Sequence, residues 1–400
     1  MMKPAAWLQD RRMQKFLDVL GRWEASRLSQ ADAAEILGMS ERTFRRYCRR
    51  YDDEGEDGLM DRRLGKTSSR RVPPDTVAWM QKLYRTQYYG WNAKHFHEAL
   101  VEHHNFRWGY TWTKTQLHAA GLLPARRKRG AHRLKRERKP CEGMMLHQDG
   151  SRHEWLQGQP PLDLIVTMDD ATSRIYSAFL VAEEGTASTF RAFLAVFRDR
   201  GLPCALYTDR GSHYFLTAAA GGKVDRTRPT QVGRALAQLG IEHIAAYSPQ
   251  ARGRSERAFG TLQERLVKEL AAAGINDVEA ANRFIAETYL PRHNQRFAVV
   301  ASDPARAFVP LADPAVLDDI LCHQTERQAG HDNTVRYRGL VLPLPSVAGR
   351  AHFARARMRV HAYPHGGLAV FHGPRKVARY TADGELIGSA PATKPSEQAA

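Results

Sequence analysis

No apolar run in this chain of 400 residues approaches the length needed to cross a bilayer, and the mean hydropathy is −0.52. A protein that spans a membrane by helices is therefore not expected. The opening residues, Met1 to Asp10, also lack the apolar stretch of a secretory signal. The expected compartment is the cytoplasm. Cysteine is scarce: Cys48, Cys141, Cys204 and Cys322 are scattered, with no C-x-x-C pair. That spacing excludes a zinc finger and argues against a disulfide framework. Acid is short as well. There are 43 Asp and Glu against 60 Lys and Arg, a net charge of +17 and a pI near 9.9. Such an excess favours a polyanionic partner, most commonly nucleic acid. The alternative is a basic soluble protein with no nucleic-acid role. What is present is a hydrophobic fraction of 42%, sufficient for real cores, on a length that fits two to four domains.

Residues 10–125 read as helical. Ser29 is placed to cap a helix from Gln30 to Leu37, which Gly38-Met39-Ser40 breaks. A second helix from Glu41 to Tyr51 carries Arg42, Arg45, Arg46, Arg49 and Arg50. Helix, short Gly-containing turn and basic helix form a helix-turn-helix pattern. Ala34 is small where the helices would cross, Gly38 suits a left-handed turn, and Ile36, Leu37 and Phe44 are expected between the helices. An ordinary helical hairpin with a solvated basic face is the alternative. Residues 10–64 are thus read as one DNA-binding domain, with Asp52 to Ser69 as a Gly-rich linker. Residues 70–125 are read as a second helix-turn-helix-like domain. Its helices run from Pro73-Pro74-Asp75 to Tyr84, from Asn92 to Val101, and from a Thr113 cap to Ala120. Most of its aromatics are expected in a small core. Residues 126–140 are a basic linker with Arg126, Arg127, Lys128 and Arg129, suited to lie along phosphates; a solvated linker with no partner is the alternative.

The pattern changes near Gly143. Strands are expected at Met144–His147, Leu162–Met168, Ile175–Val181, Cys204–Thr208 and Ile241–Ala245. Helices are expected at Thr186–Arg200, Gln231–Leu239 and Ser255–Leu270. That order describes a mixed sheet flanked by helices. Asp149 follows the first strand, Asp209 follows a buried strand, and Glu256 begins the last helix. Phe259 and Gln263 share the face of Glu256, so that face is expected on the sheet. Three converging carboxylates suit Mg²⁺ or Mn²⁺, which prefer oxygen ligands. Taken singly, an Asp after a strand is often a turn former, and a Glu at a helix start often complements the macrodipole. Asp169 and Asp170 are rivals for Asp149, but Asp-Asp-Ala-Thr-Ser reads as turn chemistry.

Four segments together carry a resemblance: His147-Gln-Asp-Gly-Ser151, Val166-Thr-Met-Asp-Asp-Ala-Thr-Ser-Arg174, Tyr207-Thr-Asp-Arg-Gly-Ser212, and Tyr247-Ser-Pro-Gln-Ala-Arg-Gly-Arg-Ser-Glu-Arg257. Residues 140–310 resemble the integrase-type core of bacterial insertion-sequence transposases. The resemblance implies an RNase-H-like fold and a DDE triad of Asp149, Asp209 and Glu256. It implies Mg²⁺ or Mn²⁺, two ions acting on an in-line phosphoryl displacement. It further implies double-stranded DNA as partner, at the element's terminal inverted repeats and at a target, a homo-oligomer on DNA, and a nucleoid-associated cytoplasmic protein. One departure stands out. Glu256 follows Asp209 by 47 positions, a longer interval than in compact members, and Thr217 to Thr230 reads as an insertion. Arg252, Arg254 and Arg257 flank the catalytic helix and are expected on the DNA backbone. Asn294 and Arg296 are expected to anchor the following stretch to the core or to DNA.

A helix is expected around Pro314 to Gln324. Residues 331–388 then read as short strands between Gly and Pro turns, a small SH3-like barrel after a core of 141–310. Residues 389–400 read as a disordered tail. The fold class is therefore multidomain: an all-α helix-turn-helix part, an α/β RNase-H-like core and a small all-β domain. The function implied is a transposase that cleaves and transfers DNA strands. The alternative is a catalytically inactive, transposon-derived DNA-binding regulator. A hybrid-cleaving RNase-H-like nuclease fits less well, since it needs no helix-turn-helix units.

Overall fold

A computed structural model describes residues 4–61, 71–124, 136–217, 222–247, 253–347 and 349–389. The chain divides into two compact units, Met1–Met80 and Gln81–Ala400. The first holds α1 (Pro4–Glu24), α2 (Gln30–Leu37), α3 (Glu41–Glu54) and α4 (Glu56–Leu59). Ser29 caps α2 through Asp32 N–H, and the Asp32 carboxylate returns to Ser29 N–H, which closes a capping box. Gly38 ends α2 at φ +65, a conformation that costs glycine nothing. Ala33 and Ala34 of α2 are buried, so α2 packs closely on both α1 and α3. Phe16, Val19, Leu20, Phe44 and Cys48 fill the space between them. Ile36 differs from expectation: it is 41% exposed, and Phe16 and Trp23 pack on Phe44 instead. The linker expected from Asp52 is also shorter. α3 continues to Glu54, and Leu59 is buried with its carbonyl accepting from Gln9.

α5 (Pro74–Thr86) spans the division between the units. α6 (Ala93–His104), capped by Asn92, and α7 (Tyr110–Ala119) follow. The third helix was expected to start at a Thr113 cap, but it starts at Tyr110. The buried Thr113 hydroxyl donates back to Gly109 C=O, so Thr113 lies inside the first turn.

The second unit also contains a five-stranded mixed sheet. In chain order its elements are β1 (Met145–His153), β2 (Leu162–Asp169), β3 (Ile175–Val181), α8 (Thr186–Arg200), β4 (Ala205–Thr208), the hairpin β5 (Leu216–Thr217) and β6 (Val224–Asp225), α9 (Gln231–Gln238), β7 (Glu242–Ala245) and α10 (Gly253–Ala272). Strand order is β3-β2-β1-β4-β7. β1, β2 and β3 are antiparallel neighbours, while β4 joins β1 and β7 joins β4 in parallel. β2 is buried along nearly its whole length because helices cover both faces. α10 lays Phe259, Leu262, Leu266 and Leu270 against Leu164, Val166, Met168 and Trp155. On the other face, α8 and α9 bring Phe190, Phe193, Phe197, Val232 and Leu236 to Leu146 and Leu206.

α11 (Val278–Phe284), a π turn at Ile285–Tyr289 and α12 (Leu290–Phe297) form one continuous helical run. Asn282 and Asn294 each clamp the edge of β3. Their side-chain amides accept from and donate to the backbone of Leu180 and Ile175, at 2.6–3.0 Å. The edge strand is thereby closed to further pairing. Of the two anchors expected there, Asn294 holds the core, and Arg296 pairs with Glu98 and Glu102 of α6.

Gly201 closes α8 at φ +94, where a Cβ would meet Val309 C=O at 2.5 Å. Backbone hydrogen bonds join Leu202 to Val309 in both directions at 2.8 Å. Gly201→Ala combines a strained φ with a backbone clash. It is expected to cost about 2–3 kcal/mol, read as a lower urea midpoint at unchanged slope.

The last part is all β apart from α13 (Val316–Ile320). It holds β8 (His323–Gln328), β9 (Thr334–Tyr337), β10 (Leu340–Pro343), β11 (Arg357–Ala362), β12 (Leu368–His372), β13 (Arg375–Tyr380) and β14 (Leu386–Ser389). The helix expected to reach Gln324 ends at Ile320, because His323–Gln328 pairs with β11 over six residues. One sheet runs β14-β13-β12-β11-β8 and a second pairs β10 with β9. Val335, Leu342, Phe353, Val360, Val370 and Tyr380 form the core they share. Among the described residues the two sheets are not joined by a closed ladder.

Candidate active site

Asp149 lies inside β1 and is buried. The strand was expected to end at His147, but it runs on to His153 because β2 pairs with it along its full length. The β1–β4 register matches Met145 with Ala205, Leu146 with Leu206 and His147 with Tyr207. Carried two residues further, it sets Asp149 level with Asp209, which immediately follows β4. Asp209 accepts a hydrogen bond from Gly211 N–H at 2.9 Å, a local turn that fixes the carboxylate at the strand end.

Glu256 lies in the first turn of α10 and is exposed. Two contacts bracket it along the helix. Upstream, the Arg254 guanidinium is hydrogen-bonded to the Asp170 carboxylate. Downstream, Gln263 donates to Ser151 Oγ at 3.0 Å. Asp170 also accepts from His147 Nε2 at 2.7 Å. His147, Asp149 and Ser151 alternate onto one face of β1, so the same contacts bracket Asp149. Among the described residues, no three His, Cys, Asp or Glu side chains already stand at metal-binding separation. The donor set still suits a hard cation: two carboxylates level on adjacent strands and a third on the helix above that face.

The surroundings are built from residues that motif reading did not single out. Tyr214 is fully buried and donates to Glu184 Oε1 at 3.3 Å. Burial and the charges of Glu184, Asp209 and Asp149 push its hydroxyl well above the ordinary phenol range. Gly150 lies beneath the Glu184 carboxylate, the flexible end of which would have to shift to admit a Cβ there.

Asp169 and Asp170 divide their work. Asp169 accepts from Thr172 N–H, Thr172 Oγ1 and Gly143 N–H at 2.8–2.9 Å, so it makes the turn. Asp170 accepts from Arg136, Arg254, His147 and Lys139 N–H. Burial alone would raise its pKa. Hydrogen bonds from His147 and Lys139 N–H and the charges of His147 and Arg136 outweigh burial and hold it well below the carboxylate range. A pair of acidic residues in one turn gave no sequence signal for this, since the partners of Asp170 lie 23 to 84 residues away.

Of the residues expected on DNA, Arg42, Arg45, Arg46 and Arg49 are exposed on α3, opposite the buried Phe44 and Cys48. Arg257 is exposed at the start of α10. Arg254 differs: its side chain is 14% exposed and is held by Asp170 and Arg136 C=O. Arg126, Arg127, Lys128, Arg129, Arg252 and residues 390–400 lie outside the described residues. The expected insertion forms the β5–β6 hairpin on either side of residues 218–221, which are not described. Among the described residues, no helix is long and apolar enough to cross a membrane.

Comparison with known proteins adds the following. Residues 19–78 match the family model described as winged helix-turn helix. The chain is 29% identical over 368 residues to the putative transposase y4bF of Sinorhizobium fredii, covering 91% of this chain and 79% of that protein. It is 24% identical over 336 residues to the transposase for insertion sequence IS1202 of Streptococcus pneumoniae, covering 76% and 71%. Among solved structures it is similar to the HTLV-2 integrase catalytic core domain in complex with magnesium, at 16% identity and TM-score 0.28, covering 37% of this chain and 89% of that one. It is also similar to the simian T-cell lymphotropic virus intasome in complex with a PP2A regulatory subunit, at 15% identity and TM-score 0.32, covering 79% and 100%.

Proposed function

We propose, from its resemblance to insertion-sequence transposases, that this chain is a DNA transposase: a polynucleotidyl transferase that binds the ends of its mobile element, cleaves there and transfers the strand to a target. The observation that carries the reading is the β1–β4 register, which sets Asp149 level with Asp209 on the sheet face that α10 covers. In this reading residues 10–64 and 70–125 recognise DNA and 126–140 is a basic linker. Residues 141–310 are an RNase-H-like core, 331–388 an SH3-like module and 389–400 a tail.

Asp149, Asp209 and Glu256 would hold Mg²⁺ or Mn²⁺, with a pair of ions as the working stoichiometry. Bound there, the cations would activate a hydroxyl and neutralise charge on the phosphodiester being displaced. The chain's own residues do the rest. The backbone turn at Gly211 keeps Asp209 aimed from the strand end. Arg257 offers a cation beside the helix N-terminus for a phosphate. In cleavage, a water oxygen attacks phosphorus and the P–O3′ bond breaks, leaving a 3′-hydroxyl and a 5′-phosphate. In transfer, that hydroxyl attacks a target phosphodiester, so one P–O bond forms as another breaks.

The test is incubation of the full chain with labelled duplexes taken from both flanks of its coding sequence, with Mg²⁺ or Mn²⁺. Metal-dependent cleavage or joining supports the reading. Binding without cleavage in either metal favours the DNA-binding regulator. The exposed arginines of α3 allow a separate check. Arg45→Gln is expected to lower the slope of log affinity against log salt by about 0.9, while leaving the melting temperature unchanged. An unchanged slope would remove Arg45 from the interface.

A further inference from the structure

We infer that Asp170 is a positioning residue for the reaction: its buried carboxylate holds the first turn of α10, and with it Glu256, against β1 beside Asp149. The inference rests on the transposase reading and deepens it.

Three observations support it. First, Asp170 is not used by its own turn. Asp169 supplies the turn's hydrogen bonds, to Thr172 and Gly143, and the side-chain partners of Asp170 come from elsewhere. Both carboxylates are at 0% exposure and must be offset by several donors, but those of Asp170 all come from outside the turn, whereas Asp169 takes two from Thr172 within it. Second, those donors come from the segments that bear on the site. Arg254 precedes Glu256 by two residues on α10, and His147 precedes Asp149 by two on β1. Arg136 and Lys139 N–H end the basic linker. Third, Asp170 is itself fixed to the sheet, since its N–H donates to Met145 C=O at 3.0 Å. Its position therefore follows β1. Whatever the carboxylate holds is held in the frame of Asp149.

Another polar contact of α10, Gln263 on Ser151 of β1, lies more than two turns downstream of Arg254. Without Asp170 the first turn of α10 loses its upstream contact with the sheet. Glu256, two residues beyond Arg254, would then be held less firmly beside Asp149. Groups that orient a metal ligand from behind typically change metal affinity or activity about 10–100-fold when removed.

The experiment measures Mn²⁺ binding to the full chain by electron paramagnetic resonance, without DNA, for wild type, Asp170→Asn, Arg254→Gln and Glu256→Gln. Circular dichroism and melting report folding, and cleavage kinetics report kcat and KM. Asp170→Asn is expected to fold, to bind Mn²⁺ about 10-fold more weakly, and to lose kcat with little change in KM for DNA. If Asp170→Asn does not fold, Arg254→Gln decides, because it leaves the other donors to Asp170 in place; it is expected to show the same losses. Wild-type Mn²⁺ affinity and kcat in a folded Asp170→Asn, with Glu256→Gln impaired, overturn this inference and leave the triad standing. If wild type binds no Mn²⁺, or Glu256→Gln binds it as wild type does, the triad reading fails and this inference falls with it.

Discussion

Glu256→Gln is expected to lower metal-dependent DNA cleavage by about 10³-fold, the equivalent of roughly 4 kcal/mol in barrier height, while DNA affinity without metal stays at the wild-type level. The substitution is a clean one. Glu256 is exposed, so removing its charge leaves no cavity and no buried unpaired partner. It lies beside the cluster where α10 is held at Asp170, but among the described residues it is not hydrogen-bonded into it. A loss of activity can therefore be assigned to the carboxylate itself. Asp209→Asn is expected to act in the same direction, with a small added cost in stability from its bond to Gly211 N–H. The measurement is a single-turnover cleavage assay in Mg²⁺ and in Mn²⁺, alongside a gel-shift assay in chelator. If cleavage persists in both variants, the reaction centre lies elsewhere. If DNA binding is lost together with cleavage, the carboxylates support the fold of the interface rather than the reaction.

What was legible in the sequence depended on how local its cause was. α2 and the start of α3 could be read because Ser29, Gly38 and Ser40 act within one turn of themselves. β3 and α8 could be read because their apolar spacing is strong and each packs one continuous face. The second half of β1 could not. Gln148-Asp-Gly-Ser-Arg152 has no apolar alternation, and it is a strand because β2 lies beside it. β8 is the same case: His323-Gln-Thr-Glu-Arg-Gln328 is polar throughout, and β11 makes it extended. Tertiary pairing there overrides local preference. The acids of the candidate site were legible as a motif, and Asp149 and Asp209 then fell level through the β1–β4 register. Asp170 was read as turn chemistry, which Asp169 performs. Its carboxylate takes four donors brought together by the fold, and no local pattern encodes them. Arg254 was read as a phosphate ligand, and its pairing with a carboxylate 84 residues away had no local signal either.

Glu98→Ala is expected to destabilise the second unit by about 3–5 kcal/mol, because it leaves a buried guanidinium without its hydrogen-bonded carboxylate. Glu98 on α6 accepts from Arg265 of α10 at 2.6 Å and lies 3.4 Å from Arg296 of α12. The Arg265 side chain is 7% exposed, so water cannot take the place of the carboxylate. Nearby, His95 meets Glu269 at 3.0 Å. These pairs, with Arg296 on Glu102, fasten α6 to the helices that cover the five-stranded sheet. Burial by itself would raise the pKa of Glu98. The hydrogen bond and charge of Arg265, with Arg296 and Lys94, outweigh burial and leave it lowered. A lowered carboxylate contributes stability above its unfolded pKa and loses it as pH falls through the folded value. His95 is lowered by burial, against the hydrogen bond to Glu269. As pH falls below 6.5, the unfolded chain takes up that proton first, which erodes stability in the same direction. Wild type should thus lose stability steadily on acidification. Glu98→Ala should start lower and lose less over the carboxylate range, since one titrating group is gone. Urea midpoints taken from neutral pH to below 4.5 test both statements. A variant as stable as wild type at neutral pH would mean that Arg265 finds another partner and that the α6 contact is held by apolar packing alone.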